Sequence, residues 1–297
     1  MRVFLTGATG FIGEAIVREL LPAGHQVLGL ARSDAAADTL ARLGVEAHRG
    51  DLSETESLVA GARACDGVIH TAFIHDFSAY ATAAETDRRA VAAMTAALEG
   101  SGKPFVLTSG TALLAPGRIG TEDDAPAPGS AASLRAAAEA TALAAAARGV
   151  RASVVRLPPS VHGTGDHGFV PTLIDIARRT GVSAFIGDGA NRWPAVHRLD
   201  AARLFRLALE RAAPGAGLHA VAEEGVPLFA IAQAIGAGLG VPVQGLAKDQ
   251  AGAHFDWIAA FVAIDNPTSS ALTRAALGWL PKESGLLMDL KESGYFK

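Results

Sequence analysis

The sequence predicts an α/β fold in which a doubly wound parallel sheet carries helices on both faces. Short apolar runs alternate with stretches of helical periodicity through the first half of the chain, a pattern typical of repeated strand–helix–strand units. The first apolar run, residues 2–6, breaks into a turn with Gly7, Gly10 and Gly13 before a helical pattern begins. In such a sheet, ligands bind at the carboxyl ends of the strands.

Composition restricts the class of protein. A chain of 297 residues can bury the core of one large domain or of two unequal ones. The net charge of −4 predicts neither a nucleic-acid partner nor an anionic membrane partner. Cys65 is the only cysteine, which fits a reducing compartment. No apolar run reaches the about 18 residues of a membrane span, Met1 leads almost directly into the first strand, and the histidines are scattered. We therefore expect a cytoplasmic protein without a metal site.

The glycine-spaced turn has the pattern of a phosphate loop. Gly7 permits a tight turn, Gly10 lets backbone N–H groups approach a pyrophosphate, and Gly13 lets the following helix pack closely on the strand. The diphosphate then lies at the positive end of the helix dipole. We expect this helix to end near Leu21, before Gly24. The alternative is a strand-to-helix turn that binds no ligand.

Residues 6–13, Thr-Gly-Ala-Thr-Gly-Phe-Ile-Gly, resemble the glycine motif of extended short-chain dehydrogenases/reductases, the superfamily of nucleotide-sugar epimerases and dehydratases. The resemblance implies a Rossmann-type domain with a bound nicotinamide cofactor and a smaller C-terminal substrate domain. The cofactor contacts that it implies in the loop are Gly7, Thr9, Gly10, Phe11, Ile12 and Gly13.

The end of the second predicted strand, residues 26–31, distinguishes NADP from NAD. An acidic residue there binds the ribose 2′-hydroxyl of NAD, whereas an arginine accommodates the 2′-phosphate of NADP. The chain has Arg32 and Ser33 at this position, and we favour NADP over NAD. The alternative for Arg32 is a solvated surface charge. Ser33 or Asp34 is expected to cap a helix over residues 35–43.

A third strand is predicted over residues 45–51. The resemblance places Asp51 and Leu52 beside the adenine. Ser53 and Glu56 have the spacing of a capping box, which predicts the start of the next helix.

The fourth strand, residues 67–72, leads into a segment that resembles the family's passage under the cofactor, so Thr71, Ala72 and Phe73 are candidate contacts. A polar and aromatic cluster follows where active-site loops lie in such sheets. We single out His75 as a substrate contact and Tyr80 as a proton donor. The cluster consists of Phe73, His75, Asp76, Phe77 and Tyr80.

A fifth strand over residues 105–111 follows an alanine-rich helix at 82–100. The resemblance places a catalytic serine or threonine at the end of this strand. Ser109 and Thr111 flank a glycine there, and the sequence does not choose between them. Thr108 is a further candidate cofactor contact.

The chain departs from the family at the Tyr-x-x-x-Lys pair, whose lysine lowers the pKa of the tyrosine that exchanges a proton with the substrate. Neither Tyr80 nor Tyr295 has a lysine four residues later. Aligning Glu139 with the family's helix glutamate puts Arg135 at the lysine position and Ala131 at the tyrosine position. Arg135 can hold ribose hydroxyls, but with a pKa above about 12 it cannot donate the proton.

The chain therefore resembles the atypical short-chain dehydrogenases/reductases. Three alternatives follow: another residue supplies the proton, the substrate needs none, or the protein binds the nucleotide without turning it over.

A sixth strand over residues 152–156 runs into Pro158 and the segment up to Asp166, which resembles the family's Arg-x-Pro-x-x-x-Tyr-Gly-Pro-Gly stretch. The resemblance implies that Pro158 and Ser160 approach the nicotinamide. His162 replaces the tyrosine, and with a reference pKa of about 6.5 it is a candidate proton donor or a structural histidine.

After a helix over residues 169–180, the chain resembles the family's Gly-Asp-Gly turn and its Val-His-x-x-Asp segment. Arg192 and Trp193 are the substrate-contact candidates there. His197 and Asp200 are expected to bind backbone and cap a helix at 201–211.

The predicted domains are residues 1–160, joined by 195–222 whose last strand is 218–222, and a smaller substrate domain made of 161–194 and 223–297. A helix is predicted at 227–239. The late aromatic residues are expected in the core rather than in a pocket; they are Phe255, Trp257, Phe261 and Trp279. The alanine-rich segments 83–99 and 131–148 correspond to the helix pair through which superfamily members dimerise, which predicts a homodimer.

The sequence thus predicts an NADP-dependent oxidoreductase that transfers hydride to or from a small carbonyl, alcohol or imine substrate. Two alternatives remain open, a non-catalytic NAD(P)-binding sensor and an NAD-dependent epimerase or dehydratase.

Overall fold

The computed structural model describes residues 1–75, 79–128 and 134–297. Asp76, Phe77 and Ala131, which the sequence analysis names, lie outside these residues. The strands are β1 Arg2–Thr6, β2 Gln26–Ala31, β3 Glu46–Arg49, β4 Gly67–His70, β5 Pro104–Gly110, β6 Arg151–Leu157, β7 Ser160–His162, β8 Ser183–Ile186, β9 Arg192–His197, β10 Ala216–His219, β11 Glu223–Pro227 and β12 Val243–Leu246. The helices are α1 Phe11–Leu20, α2 Asp34–Arg42, α3 Thr55–Arg63, α4 Tyr80–Ala97, α5 Ala136–Ala144, α6 Phe169–Thr180, α7 Arg198–Arg211, α8 Leu228–Leu239, α9 Lys248–Phe255, α10 Ala259–Val262, α11 Ala271–Leu277 and α12 Leu286–Glu292.

The main sheet has seven parallel strands in the order β10-β6-β5-β4-β1-β2-β3. The strand order reverses between β1 and β4, which makes a topological switch point. The glycine loop leaves β1 at this point. The predicted doubly wound parallel sheet is therefore confirmed.

Alternation along the strands divides the hydrophobic core between the two faces of the sheet. Val3 and Leu5 of β1 pack on the face covered by α1 and α7, whereas Phe4 packs on the opposite face with residues of α3, α4 and α5. Both faces are buried, as expected for parallel strands joined by crossover helices. The carboxyl edge of the sheet is left open for a ligand.

A second core lies beyond this edge. The mixed sheet β11-β9-β7 and the two-stranded sheet β12-β8 pack with α6, α8 and α12 around large apolar side chains such as Trp193, Ile231 and Phe255. Residues 271–279 were assigned to the smaller domain, yet α11 contacts α7 and β10, and Trp279 belongs to the core of the main sheet.

Two helix starts test the capping predictions. The Ser33 hydroxyl accepts a hydrogen bond from the Ala36 amide and caps α2, as predicted. The capping box at Ser53 is wrong, because the Ser53 hydroxyl and amide both donate to the Asp51 carboxylate, and α3 begins only at Thr55. The alanine-rich helix predicted at 131–148 consists, in its described part, of α5 followed by a 3₁₀ turn at Ala145–Arg148.

Among the described residues, no helix is both long and apolar enough to cross a membrane. The same residues contain no group of three or more histidine, cysteine, aspartate or glutamate side chains that could hold a metal ion.

Candidate active site

A large cleft of about 1080 Å³ lies at the carboxyl edge of the main sheet. The loops after β1 to β6 form one part of it, and the start of α6 and the segment around α10 close the other part. The predicted site residues that line it are Gly7, Thr9, Gly10, Phe11, Ile12, Gly13, Arg32, Asp51, Leu52, Thr71, Ala72, Phe73, His75, Tyr80, Thr108, Ser109, Arg135 and Pro158.

The glycine loop has the backbone geometry of a diphosphate cradle. Gly7 has φ +74°, and a Cβ atom there would lie 2.7 Å from the Thr71 hydroxyl oxygen. A Cβ atom on Gly13 would lie 1.9 Å from the Gly7 carbonyl oxygen, so only glycine lets α1 approach the loop. Gly10 is the N-cap of α1, and no side chain caps this helix. The first amides of α1 therefore face the cleft without a side-chain acceptor, which fits a bound diphosphate.

The ribose end of the cleft carries Arg32 and Asp51. Arg32 is exposed and makes no hydrogen bond or ion pair with any described residue. The Asp34 carboxylate is turned away and pairs with Arg49. Hydrogen bonds from the Ser53 hydroxyl and amide, with a smaller contribution from the charge of Arg32, lower the pKa of Asp51, so this carboxylate is ionised at neutral pH. Ser33 caps α2 and does not line the cleft.

A buried polar chain fixes the floor of the cleft. The Thr6 hydroxyl lies 2.6 Å from His70 Nδ1, and His70 Nε2 lies 3.0 Å from the Asp87 carboxylate. The Ala72 amide donates to the Thr6 hydroxyl and the Thr71 hydroxyl donates to the Thr6 carbonyl. Because a carboxylate only accepts hydrogen bonds, Nε2 of His70 donates to Asp87, and in a neutral imidazole this leaves Nδ1 to accept from the Thr6 hydroxyl. The sequence analysis did not predict this chain of hydrogen bonds. The signal that could have indicated it is His70, a histidine within the apolar run of the fourth strand.

The centre of the cleft holds a cluster around Phe73. The guanidinium of Arg135 lies 4.2 Å from the centre of the Phe73 ring, and the His75 and Tyr80 rings lie 5.4 and 5.8 Å from it. Arg135 Nη2 also donates to the Thr108 carbonyl at 3.1 Å. The cluster thus brings a cation and two proton-exchanging groups together at the end of the predicted cofactor site.

Three influences set the pKa of Tyr80. Burial raises the pKa of the phenol, the charge of Arg135 lowers it, and the charge of Asp87 raises it, with a net upward direction. Desolvation, followed by the charges of Arg135 and His167, lowers the pKa of His75. At neutral pH, Tyr80 is therefore a protonated phenol and His75 a neutral imidazole.

The three hydroxyl groups at the end of β5 have different hydrogen-bond partners and different exposure to the cleft. Ser109 lines the cleft, but its hydroxyl donates to Glu139 at 2.7 Å. Thr111 is buried, donates to Asn266 at 2.8 Å and does not line the cleft, so the structure does not support a role for it with substrate. Thr108 lines the cleft, and its buried hydroxyl oxygen has no partner among the described residues.

His162 and Ser160 are turned away from the cleft. They are buried on one face of β7, whereas Val161 between them lines the cleft. His162 Nδ1 lies 2.8 Å from the Asp289 carboxylate, and the His162 side chain is 1% exposed. Because alternate residues of a strand face opposite ways, the family position of His162 does not place its ring near the nicotinamide. The structure therefore supports the structural alternative for His162.

Arg192 and Trp193 also lie outside the cleft lining. Arg192 makes two hydrogen bonds from its guanidinium to Asp265. Trp193 is fully buried, and its indole N–H donates to the Phe261 carbonyl at 3.2 Å. Trp193 therefore lies behind the cleft-lining residue Phe261. Neither Arg192 nor Trp193 faces the space that a substrate would occupy.

His197 and Asp200 both bind backbone as expected, but the prediction that Asp200 caps the helix is wrong, because α7 begins at Arg198 and Asp200 lies in its first turn. His197 Nδ1 accepts from the Leu199 amide and caps α7. The Asp200 carboxylate accepts from the amides of Lys282 and Glu283, which fixes the chain beyond α11.

The sequence analysis did not predict that the first turn of α6 lines the cleft. Phe169 and Thr172 enter it from the first turn of α6, and Asp166 and His167 enter from the loop before this helix. Trp257 and Phe261 also line the cleft, so the expectation that they belong to the core is wrong; Phe255 and Trp279 are buried as expected.

Comparisons with known proteins match the chain to a family and to several relatives. The NAD dependent epimerase/dehydratase family model matches residues 3–221. An uncharacterized protein of Schizosaccharomyces pombe is 50% identical over 298 residues and covers 100% of both chains. The 2-alkyl-3-oxoalkanoate reductase of Stenotrophomonas maltophilia is 32% identical over 232 residues, which are 73% of this chain and 67% of the relative.

The fold is also similar to that of solved structures. The dTDP-glucose 4,6-dehydratase DesIV of Streptomyces venezuelae, solved with NAD bound, has a TM-score of 0.79 at 21% identity and covers 98% of this chain and 96% of its own.

Proposed function

Because the chain belongs to the NAD-dependent epimerase/dehydratase family of extended short-chain dehydrogenases/reductases, we propose that it is an NADP-dependent carbonyl reductase with an unusual proton donor. The observation that carries this proposal is the contact of both Tyr80 and Arg135 with the Phe73 ring at the end of the cofactor cleft. The reaction transfers a hydride to a carbonyl carbon and a proton to its oxygen, and it is reversible toward the alcohol.

Arg32 supports the choice of NADP. It stands at the carboxyl end of β2, where the 2′-substituent of the adenosine ribose lies in this fold. It has no carboxylate partner among the described residues, and Asp34 pairs with Arg49 instead of facing the ribose. A 2′-phosphate would supply the missing anionic partner.

The amides at the start of α1 would hold the diphosphate, and Arg32 the 2′-phosphate. Asp51 and Leu52 would flank the adenine. When bound, the reduced nicotinamide supplies the hydride.

Tyr80 provides the proton in this proposal. Its raised pKa keeps the phenol protonated at neutral pH, as a general acid requires. As the proton moves to the carbonyl oxygen, the charge of Arg135 stabilises the phenolate that is left. Arg135 thus takes over the electrostatic part of the family lysine, although the tyrosine comes from the start of α4 instead of from the helix that carries the arginine.

The hydroxyl groups at the end of β5 are not assigned to the substrate oxygen in this proposal, because that of Ser109 donates to Glu139 and that of Thr108 is buried. The similarity to a 2-alkyl-3-oxoalkanoate reductase supports a carbonyl substrate. We further propose that the exposed faces of α4 and α5 form a homodimer contact.

The test is NADPH oxidation with a panel of ketones and aldehydes, comparing the wild type with Tyr80→Phe. The substitution should lower kcat by about 10²-fold or more, because general acid catalysis contributes that much, while NADPH binding stays unchanged. His162→Gln is the control and should keep kcat within about threefold. Unchanged turnover in Tyr80→Phe would contradict the assignment, and NADPH binding without turnover of any carbonyl would favour the sensor alternative.

A further inference from the structure

One wall of the cleft is aromatic. The Phe169 ring lies 4.8 Å from the Phe261 ring and 6.1 Å from the Trp257 ring, measured between centroids. Trp193 lies behind them, with its ring centroid 5.8 Å from Phe169 and its indole N–H on the Phe261 carbonyl. Phe169 and Phe261 therefore pack against the second core, and Trp257 contacts Phe169, so the three rings present apolar surface to the cleft.

Two large apolar side chains that line the cleft are also exposed to solvent. Trp257 is 45% exposed and Ile74 is 39% exposed, and both line the cleft. They come from separate parts of the chain, the segment after α9 and the loop after β4. Apolar surface that lines a concave site is typical of a pocket that covers an apolar ligand.

The charges in the cleft do not favour a doubly charged substrate. Among the described lining residues, the arginines are Arg32 at the ribose end and Arg135 on the Phe73 ring, and no lysine is present. The lining next to the start of α6 also contains the acid Asp166, whose carboxylate accepts hydrogen bonds from the Gly168 amide and the Tyr295 hydroxyl. Arg192, the other cation considered for substrate, is paired with Asp265 outside the cleft. Desolvating a diphosphate here would cost free energy without compensating ion pairs.

We propose that the substrate is a neutral or singly charged carbonyl compound carrying an aromatic ring or an alkyl chain, which binds against Phe169, Trp257 and Phe261. This inference rests on the proposed reductase function and narrows it. It excludes nucleoside diphosphate sugars, because their diphosphate would face the aromatic wall and Asp166 instead of a cationic pair.

The first experiment measures kcat/KM with NADPH for 2-butanone, 2-octanone and 4-phenyl-2-butanone. The two larger ketones should exceed 2-butanone by at least about tenfold, because each buried CH₂ contributes about 0.8 kcal/mol. Trp257→Ala should raise KM for 4-phenyl-2-butanone by about tenfold and change kcat/KM for 2-butanone by less than about threefold. Equal kcat/KM for all three ketones, or an equal loss for all three in Trp257→Ala, would overturn the proposal.

Phe229→Ala is the matched control. Phe229 is an aromatic residue of α8 that is 40% exposed, close to the exposure of Trp257, but it does not line the cleft. This variant should leave the preference among the ketones unchanged. A thermal unfolding midpoint measured for each variant identifies any loss of folded protein.

A binding experiment separates this proposal from the reductase function. NADP⁺-loaded protein is titrated calorimetrically with 4-phenyl-2-butanol and, separately, with UDP-glucose. Binding of the alcohol that weakens in Trp257→Ala supports the apolar site even if no ketone is reduced, in which case the reductase function alone fails. Binding of UDP-glucose, or no binding of the alcohol, overturns the apolar substrate class.

Discussion

The two sides of the cleft are built in different ways. On the nucleotide side, the loop of Gly7, Gly10 and Gly13 shapes the site with backbone, and its residues lie within seven positions of one another. On the aromatic side, Phe169 and Phe261 are 92 residues apart in sequence, and the site is shaped by side chains that pack against a separate core. The first kind of site leaves a compact sequence motif, whereas the second leaves no local pattern.

The largest expected effect tests whether backbone alone shapes the nucleotide side. Gly13→Ala places a Cβ atom 1.9 Å from the Gly7 carbonyl oxygen, so the loop must separate from α1. We expect NADPH affinity, measured by fluorescence titration, to fall by 10²-fold or more, since the cradle requires close approach of backbone groups.

Gly252→Ala is its control, because a Cβ atom at this position of α9 meets no atom within 4 Å. The control should keep NADPH affinity and unfold at an equal or slightly higher temperature, as expected for alanine in a helix. A Gly13→Ala protein that binds NADPH normally would contradict the backbone description of this side.

A smaller effect concerns the side chain that we assign to the 2′-phosphate. Arg32→Ala should weaken NADPH binding by about tenfold and leave NADH binding unchanged, since only NADPH carries the phosphate that the guanidinium would pair with. Arg63→Ala changes an exposed arginine that does not line the cleft and should affect neither nucleotide. If NADH binds the wild type as tightly as NADPH does, the assignment of Arg32 fails and NAD becomes the favoured cofactor.

The pH dependence of kcat tests Tyr80 as the proton donor. The raised pKa of Tyr80 means that the protonated form persists through neutral pH and is lost only above its ordinary value of about 10. The kcat for ketone reduction should therefore stay level between about pH 7 and 9 and fall only above about pH 10. A decrease between pH 6 and 8 would instead indicate a histidine or a tyrosine with a lowered pKa.

The same contrast explains which predictions succeeded. The parallel sheet followed from alternating strand and helix patterns, and the structure places the glycine loop at the point where strand order reverses. His162 was misplaced because a motif gives a position along β7 but not the side of the strand that faces the ligand. Arg192 and Trp193 were misplaced for a related reason, since their partners, Asp265 and the Phe261 carbonyl, are distant in sequence.

The aromatic wall could not be predicted for a different reason. Trp257 lies in a 3₁₀ turn, Asp256–Ile258, and Phe261 lies in the four-residue helix α10. Segments this short have no periodicity that separates a buried face from an exposed one. Thr108 and Ser109 are neighbouring hydroxyl residues that the sequence cannot tell apart. The structure distinguishes them, because the Ser109 hydroxyl donates to Glu139 and the Thr108 hydroxyl has no partner among the described residues.

The loop between β7 and α6 is held by the end of the chain. The Tyr295 hydroxyl donates to Asp166 at 3.0 Å across 129 positions, and Asp289 binds His162 across 127 positions. During synthesis on the ribosome, the first strands and the glycine loop emerge long before these partners do. We therefore expect the nucleotide half to acquire its shape while the chain is still growing, and the loop that carries Asp166 to settle only after the final helix has been released.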